Sequence, residues 1–183
     1  RARSCLRTAL CRLRRVLESR DILAETYLLT TPTGEVGFKQ GSNYWLDVEA
    51  FEEQVGWVLA QPIYAIETVD AQALENALQL YTGELLEGCY DDWVLWERER
   101  LQRVYLNSLA YLLHYHKHHR AYEKSLECGH KILLSDPLRE EIHREMMQLY
   151  LENGQRALAV QQYETCRQIL ASELNIQPME ETQ

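Results

Sequence analysis

The feature that most constrains the fold is the helical periodicity of residues 92–183. The pattern predicts four helices, at about 92–117, 120–134, 136–153 and 155–173. Asp136 is expected to cap the third, with Pro137 in its first turn, and Asn153-Gly154 to end it. In the last three helices, apolar or small residues recur on one stripe: Tyr122, Leu126, Gly129 and Leu133; Leu138, Ile142, Met146 and Leu149; and Ala159, Tyr163, Cys166 and Leu170.

An internal repeat of 34 residues runs through these helices. Ser125 aligns with Ala159, and Leu112 with Met146. A helix–turn–helix unit of this length is the tetratricopeptide spacing. Small residues at 125 and 159 would let the two helices of each pair approach closely, so the sequence predicts a tetratricopeptide-like helical array.

The N-terminal part has a different pattern. Leucines at positions 6, 10, 13 and 17 predict a helix over 2–18 with one apolar stripe. A turn at 31–34 between the β-prone segments 27–30 and 36–38 predicts a hairpin. Asp47 is expected to cap a helix that runs to about Ala60, and a further helix is expected at about 70–81. The fold class is therefore mainly α with one small β-hairpin.

Charge is divided unevenly along the 183 residues. Residues 1–20 carry seven arginines and one acidic residue, a net charge of +6, which leaves −15 on residues 21–183. An acidic body repels a phosphate backbone, so any DNA contact is expected at the N-terminal helix. Packing of the leucine stripe would turn the arginines outward, towards a DNA groove or simply towards solvent. The candidate DNA-binding residues are Arg7, Arg12, Arg14 and Arg15.

Other chemistry has weaker support. His114 and His118 could share a zinc ion, but solvated histidines at a helix C-terminus explain the cluster that also includes His116 and His119. Five cysteines without CxxC spacing are typical of buried thiols in a cytosolic protein. The acidic pairs lie in helical segments, and phosphate-loop and GxSxG motifs are absent from the sequence, so we expect neither an enzyme nor a cofactor. The aromatic residues Trp93, Trp96, Tyr105 and Tyr111 are expected to be core or helix-packing residues rather than a ligand cage.

Several motifs in residues 70–183 resemble the bacterial transcriptional activator domain of antibiotic-regulatory-protein type regulators. They are 81–88 (Tyr-Thr-Gly-Glu-Leu-Leu-Glu-Gly), the Trp93 to Leu101 segment with its Glu-Arg-Glu-Arg run, 136–150 (Asp-Pro-Leu-Arg-Glu-Glu-Ile-His-Arg-Glu-Met-Met-Gln-Leu-Tyr), 154–163 and 173–178. In that family a tetratricopeptide-like array follows a DNA-binding winged helix.

The resemblance extends to the N-terminal part. Segment 9–17 resembles the end of the recognition helix of a winged-helix domain. Segment 27–38 resembles the wing of that domain, and segment 44–51 resembles the junction that follows the wing. It implies that 1–46 is the C-terminal part of a winged helix and 47–183 the activator domain. It also implies that Arg12, Arg14 and Arg15 match basic positions of the recognition helix. Because the chain starts at Arg1 and the earlier winged-helix elements are missing, we expect a fragment of a longer protein.

The sequence therefore favours a cytoplasmic, DNA-binding transcriptional regulator. Its expected partners are double-stranded DNA at the N-terminal helix, and RNA polymerase or a second copy of the chain at the array. No apolar run is long enough to span a membrane. The alternatives are a helical-repeat scaffold that binds protein and no DNA, and a metal sensor using the histidine cluster.

Overall fold

The computed structural model describes residues 2–17, 27–31, 33–39 and 41–183, with side chains from residue 7 onward. The predicted helix end at Glu18, the turn residue Pro32 and the side chains of Arg3, Cys5 and Leu6 lie outside the described residues. The chain divides into two compact units, Arg1–Trp45 and Leu46–Gln183. The mainly helical fold with one small hairpin confirms the expected fold class.

The first unit consists of one helix and one hairpin. Helix α1 spans Ala2–Leu17, β1 spans Leu28–Thr30, and β2 spans Val36–Phe38. The strands pair antiparallel with Leu29 opposite Gly37, which confirms the predicted hairpin. Gly34 closes the turn with a φ of +88°, a conformation that glycine adopts without strain.

The leucine stripe of α1 is less covered than expected. Leu13 is exposed, and Leu10 and Leu17 are half-buried. Leu28 of β1 is the one fully buried side chain among the described residues of this unit. Within the described part of the unit, the apolar side chains of this stripe are therefore partly exposed to solvent.

The second unit is entirely helical. Its α-helices are α2 (Asp47–Leu59), α3 (Thr68–Leu78), α4 (Asp92–His118), α5 (Tyr122–Ser135), α6 (Glu140–Glu152) and α7 (Arg156–Leu174). Two 3₁₀ turns cover Ile63–Ala65 and Glu180–Thr182. Consecutive helices from α4 to α7 pack on one another, and α2 and α3 pack on α4. The core is shared by α2 to α7 and includes Val58, Leu74, Leu113, Ile132, Met146 and Leu149.

Helices α2 and α3 begin one and two residues before their predicted starts. The N-cap of α2 is Leu46, and Asp47 lies inside the first turn, where Oδ1 accepts the Val48 N–H at 2.8 Å. Helix α3 begins at Thr68 because Glu67 and Asp70 form a reciprocal capping box, a signal that the prediction of residue 70 missed.

The start of α6 is later than predicted. Asp136 ends α5, and its Oδ1 accepts the Leu138 N–H at 3.3 Å in a short turn. The helix begins at Glu140, so Leu138 lies before it and is half-buried. An aspartate before proline suits a turn as well as a helix start, because its side chain bonds nearby backbone N–H groups in both.

The 34-residue repeat corresponds to two helix pairs, α4–α5 and α6–α7. Ser125 and Ala159 are both buried early in the second helix of their pairs, as expected. Ser125 Oγ donates to the Leu113 carbonyl at 2.8 Å. Of the predicted stripe residues, Leu126 and Met146 are buried, whereas Tyr163 is half-buried. These contacts confirm the helical array.

Gly129 on α5 packs tightly against Met146 of α6. A Cβ at this position would lie 2.8 Å from Met146 Cγ. We expect Gly129→Ala to lower the free energy of unfolding by up to about 2 kcal/mol, because overpacking outweighs the gain in helix propensity. Gly56→Ala on α2 is the matched control. A Cβ there meets nothing within 4 Å, so we expect stabilisation of about 0.4–1 kcal/mol. Equal stabilisation by both changes in urea denaturation would contradict the close packing.

Candidate nucleic-acid interface and helical-array surfaces

Helix α1 presents its arginines in two groups. Arg12 and Arg15 are exposed and, at a spacing of three residues, share one face of the helix. Arg7 is also exposed. It lies seven residues before Arg14, on a side of the helix that is nearer the leucine stripe. Three of the four candidate residues therefore offer their guanidinium groups to a ligand.

Arg14 is oriented differently and is half-buried. Its Nη2 donates to Thr30 Oγ1 at 2.7 Å, while its Nε is buried without a hydrogen-bond partner among the described residues. The candidate arginines were all expected to face outward, but Arg14 is turned partly towards the hairpin. This side chain connects α1 to β1 and helps to hold the hairpin against the helix.

The histidine cluster at the end of α4 is not uniformly solvated. His114 and His118 are exposed, but His116 is buried, with Nε2 3.1 Å from Glu75 Oε1. Lys124 Nζ lies 3.1 Å from the same oxygen, so α3, α4 and α5 meet at one charged group. Nowhere in the described part of the chain do three His, Cys, Asp or Glu side chains form a group that could hold a metal ion.

A second buried histidine, His143, was not singled out from the sequence. Its Nε2 lies 3.0 Å from the Pro137 carbonyl, and its Nδ1 lies 2.6 Å from Gln162 Nε2. A carbonyl only accepts and an amide nitrogen only donates, so the neutral ring protonated at Nε2 satisfies both contacts. Burial lowers the pKa of His143, and it does the same for His116.

These two histidines predict a loss of stability in mild acid. Because their folded-state pKa values lie below the unfolded value near 6.5, their stabilisation is complete above that pH and declines as the pH falls. The pKa values of Glu127 and Glu141 are lowered from 4.5, so their effect comes at lower pH. Urea denaturation between pH 7.5 and 5 measures the decline. His143→Gln should flatten it and His118→Gln should leave it unchanged; an identical decline in both variants would contradict the prediction.

A cavity of about 420 Å³ lies between α3, α4 and α5. On its wall the rings of Tyr81 and Tyr105 stack with centroids 4.4 Å apart. Tyr111, on the same helix as Tyr105, donates its hydroxyl to the Gln61 carbonyl at 2.8 Å. Tyr105 and Tyr111 are thus partly buried and pack against the helical core, as expected. The charged groups of the cavity are paired internally, with Lys124 on Glu75 and Lys131 on Glu127 at 2.8 Å.

A larger and more apolar groove of about 730 Å³ runs along α5 and α7. Leu126, Leu133, Leu134 and Ile169 line it, and so does the hydrogen-bonded pair His143–Gln162. Leu134 is largely exposed although it is a large apolar residue. The groove offers the array a surface for another protein segment.

The expectation that Trp93 and Trp96 pack in the core is wrong. They are 55% and 71% exposed. At the start of α4 the buried positions are Val94 and Leu101, seven residues apart on one stripe, and the two tryptophans lie off it. That register was readable in the sequence, but the size and apolarity of tryptophan favoured burial.

The cysteines follow the expectation in part. Cys128 and Cys166 are buried thiols, and burial raises their pKa values to about 12 and about 11. Cys11 is exposed and Cys89 half-buried, and all four are free. Thiols with raised pKa values are poor nucleophiles, which fits a structural role for the two buried ones.

The similarity to known proteins lies in the second unit. The family model of the bacterial transcriptional activator domain matches residues 46–183. This is a regulatory domain family rather than an enzyme family. A search of curated proteins finds no significant match. Among the described helices, none has the length and apolarity to cross a membrane. The match covers the whole helical unit and most of the chain, so the chain belongs to the bacterial transcriptional activator domain family.

Proposed function

We propose that this chain is part of a cytoplasmic, DNA-binding transcriptional regulator, in which α1 contacts duplex DNA and the helical array contacts protein. Family membership supports the regulatory role. The helix and hairpin of residues 1–46 are then the C-terminal part of a winged helix. RNA polymerase and a second copy of the chain are the candidate protein partners of the array.

The observation that carries DNA binding is the exposed arginine face of α1. Arg12 and Arg15 project from one side of the helix, and Arg7 is exposed as well. An α-helix fits the major groove, where arginine bonds either phosphate oxygens or the O6/N7 edge of guanine. Residues 21–183 carry a charge of −15, so this helix is the part of the chain best suited to approach DNA.

The four arginines have two roles in this proposal. Arg7, Arg12 and Arg15 contact DNA directly. Arg14 contacts it with the donors that Thr30 leaves free and also fixes the hairpin, which acts as the wing. Phosphate contacts set the position of the helix on the duplex, and base contacts select the sequence.

Binding of the full-length protein to a promoter fragment, followed by fluorescence anisotropy, tests the proposal. The double variant Arg12→Ala/Arg15→Ala should bind more weakly. Arg156→Ala, which removes an exposed arginine of the array, should bind like the parent. Equal binding by both variants would remove α1 from the interface.

A scaffold that binds protein and no DNA is the second candidate. The apolar groove along α5 and α7 favours it, because such grooves accept helical or extended segments. The two candidates differ in the anisotropy experiment, since a scaffold gives no specific duplex binding.

A further inference from the structure

Two tryptophans at the start of α4 and a tyrosine just before it leave their aromatic side chains exposed. We define the aromatic patch as Tyr90, Trp93 and Trp96. Tyr90 is 78% exposed, and the two tryptophans are the exposed pair described above. Trp93 and Trp96 are three residues apart in a helix, so their rings share one face. Large aromatic side chains left in water are typical of protein interfaces, where they dominate the binding energy.

The aromatic patch lies in an acidic segment of the sequence. The segment 84–100 carries six acidic residues and two arginines. Both arginines have internal partners. Arg98 donates to the carbonyls of Leu85 and Leu86 at 2.7 and 2.6 Å, and Arg100 pairs with Glu52 and Glu97.

Four carboxylates beside the patch are left without a cation in the described part of the chain. They are Glu87, Asp91, Asp92 and Glu99, all exposed. Exposed tryptophans bordered by carboxylates that lack a cation suit a ligand with cationic and apolar groups. The rings bind its cations by cation–π contact, and the carboxylates bind them by ion pairing.

We propose that the aromatic patch is a docking site for a basic amphipathic segment of a partner protein. Charge selects this occupant. A symmetric dimer through the patch would place these carboxylates against their own copies, and a nucleic acid would bring phosphates to them. The proposal deepens the proposed function, since it rests on the assignment of the array to protein contacts.

The test uses a synthetic amphipathic helix of leucine and arginine as the probe. Its binding to the chain is followed by tryptophan fluorescence and calorimetry. We expect binding that weakens as the salt concentration rises, because salt screens the attraction between the carboxylates beside the patch and the arginines of the probe. The double variant Trp93→Ala/Trp96→Ala should bind at least about tenfold more weakly, since two interface aromatics are removed. Asp91→Asn/Asp92→Asn should bind more weakly than the parent as well.

Trp57→Ala is the matched control, because Trp57 is 59% exposed on α2, outside the patch. It should bind the probe like the parent, and a leucine–glutamate helix should not bind. Equal loss in the Trp57→Ala and patch variants, no binding of the arginine probe, or self-association that needs Trp93 and Trp96 would each overturn the proposal. Duplex-DNA binding of the full-length patch variant should equal that of the parent, which separates this test from that of the DNA-binding role.

Discussion

Replacing Met146 with alanine should lower the free energy of unfolding by about 2–5 kcal/mol. Met146 is fully buried on α6, and its side chain contacts the surface of α5 at Gly129 and lies near Leu113 of α4. It therefore fills the space where three helices of the array meet. Truncation removes the transfer free energy of the side chain and leaves a cavity, because a close-packed core relaxes only in part. Urea denaturation followed by circular dichroism measures the change.

Met179→Ala provides the matched control, since the same atoms are removed from a side chain that is 60% exposed. Its backbone N–H bond to Glu140 Oε1, at 2.7 Å, does not depend on the side chain. We expect a change within about 0.5 kcal/mol for this variant. If Met146→Ala were as mild as Met179→Ala, the packing of α4, α5 and α6 described here would be wrong.

The helical array could be predicted because its signals are local. Apolar spacing and the Asn153-Gly154 stop placed α4 to α7 within a few residues, except at the start of α6. There, Asp136 and Pro137 form a turn instead of the first helical residues. The burial of His116 could also be predicted, because His116 follows Leu109 and Leu112 by seven and four residues on the buried face of the helix.

Contacts between distant residues could not be predicted in the same way. The pairing of Arg14 with Thr30 joins residues sixteen apart, and no local pattern encodes it. Glu140 is another case: it is a helix-start acid by pattern, but it is buried and accepts bonds from the Met179 N–H and the Thr182 hydroxyl. The exposure of Trp93 and Trp96 was missed because a side chain suited to a core is equally suited to an interface.

The second large expected effect concerns duplex DNA and the four arginines of α1. Each arginine on a phosphate displaces condensed counterions, so it adds about 0.9 to the slope of log affinity against log salt. Removing Arg7, Arg12, Arg14 and Arg15 together should lower that slope by up to about 3.6. An arginine that contacts a base should instead change discrimination at one base pair by about 1–3 kcal/mol.

A salt titration of promoter-fragment binding by the full-length protein tests the central claim most directly. It compares the parent with the Arg7→Ala/Arg12→Ala/Arg14→Ala/Arg15→Ala variant and with Arg156→Ala as the charge control. The proposed regulator predicts a steep slope for the parent and for Arg156→Ala, and a much shallower slope with weak binding for the fourfold variant. Absent or salt-independent duplex binding by the parent, or the same slope in all three proteins, would contradict the claim and leave the protein-binding scaffold as the function.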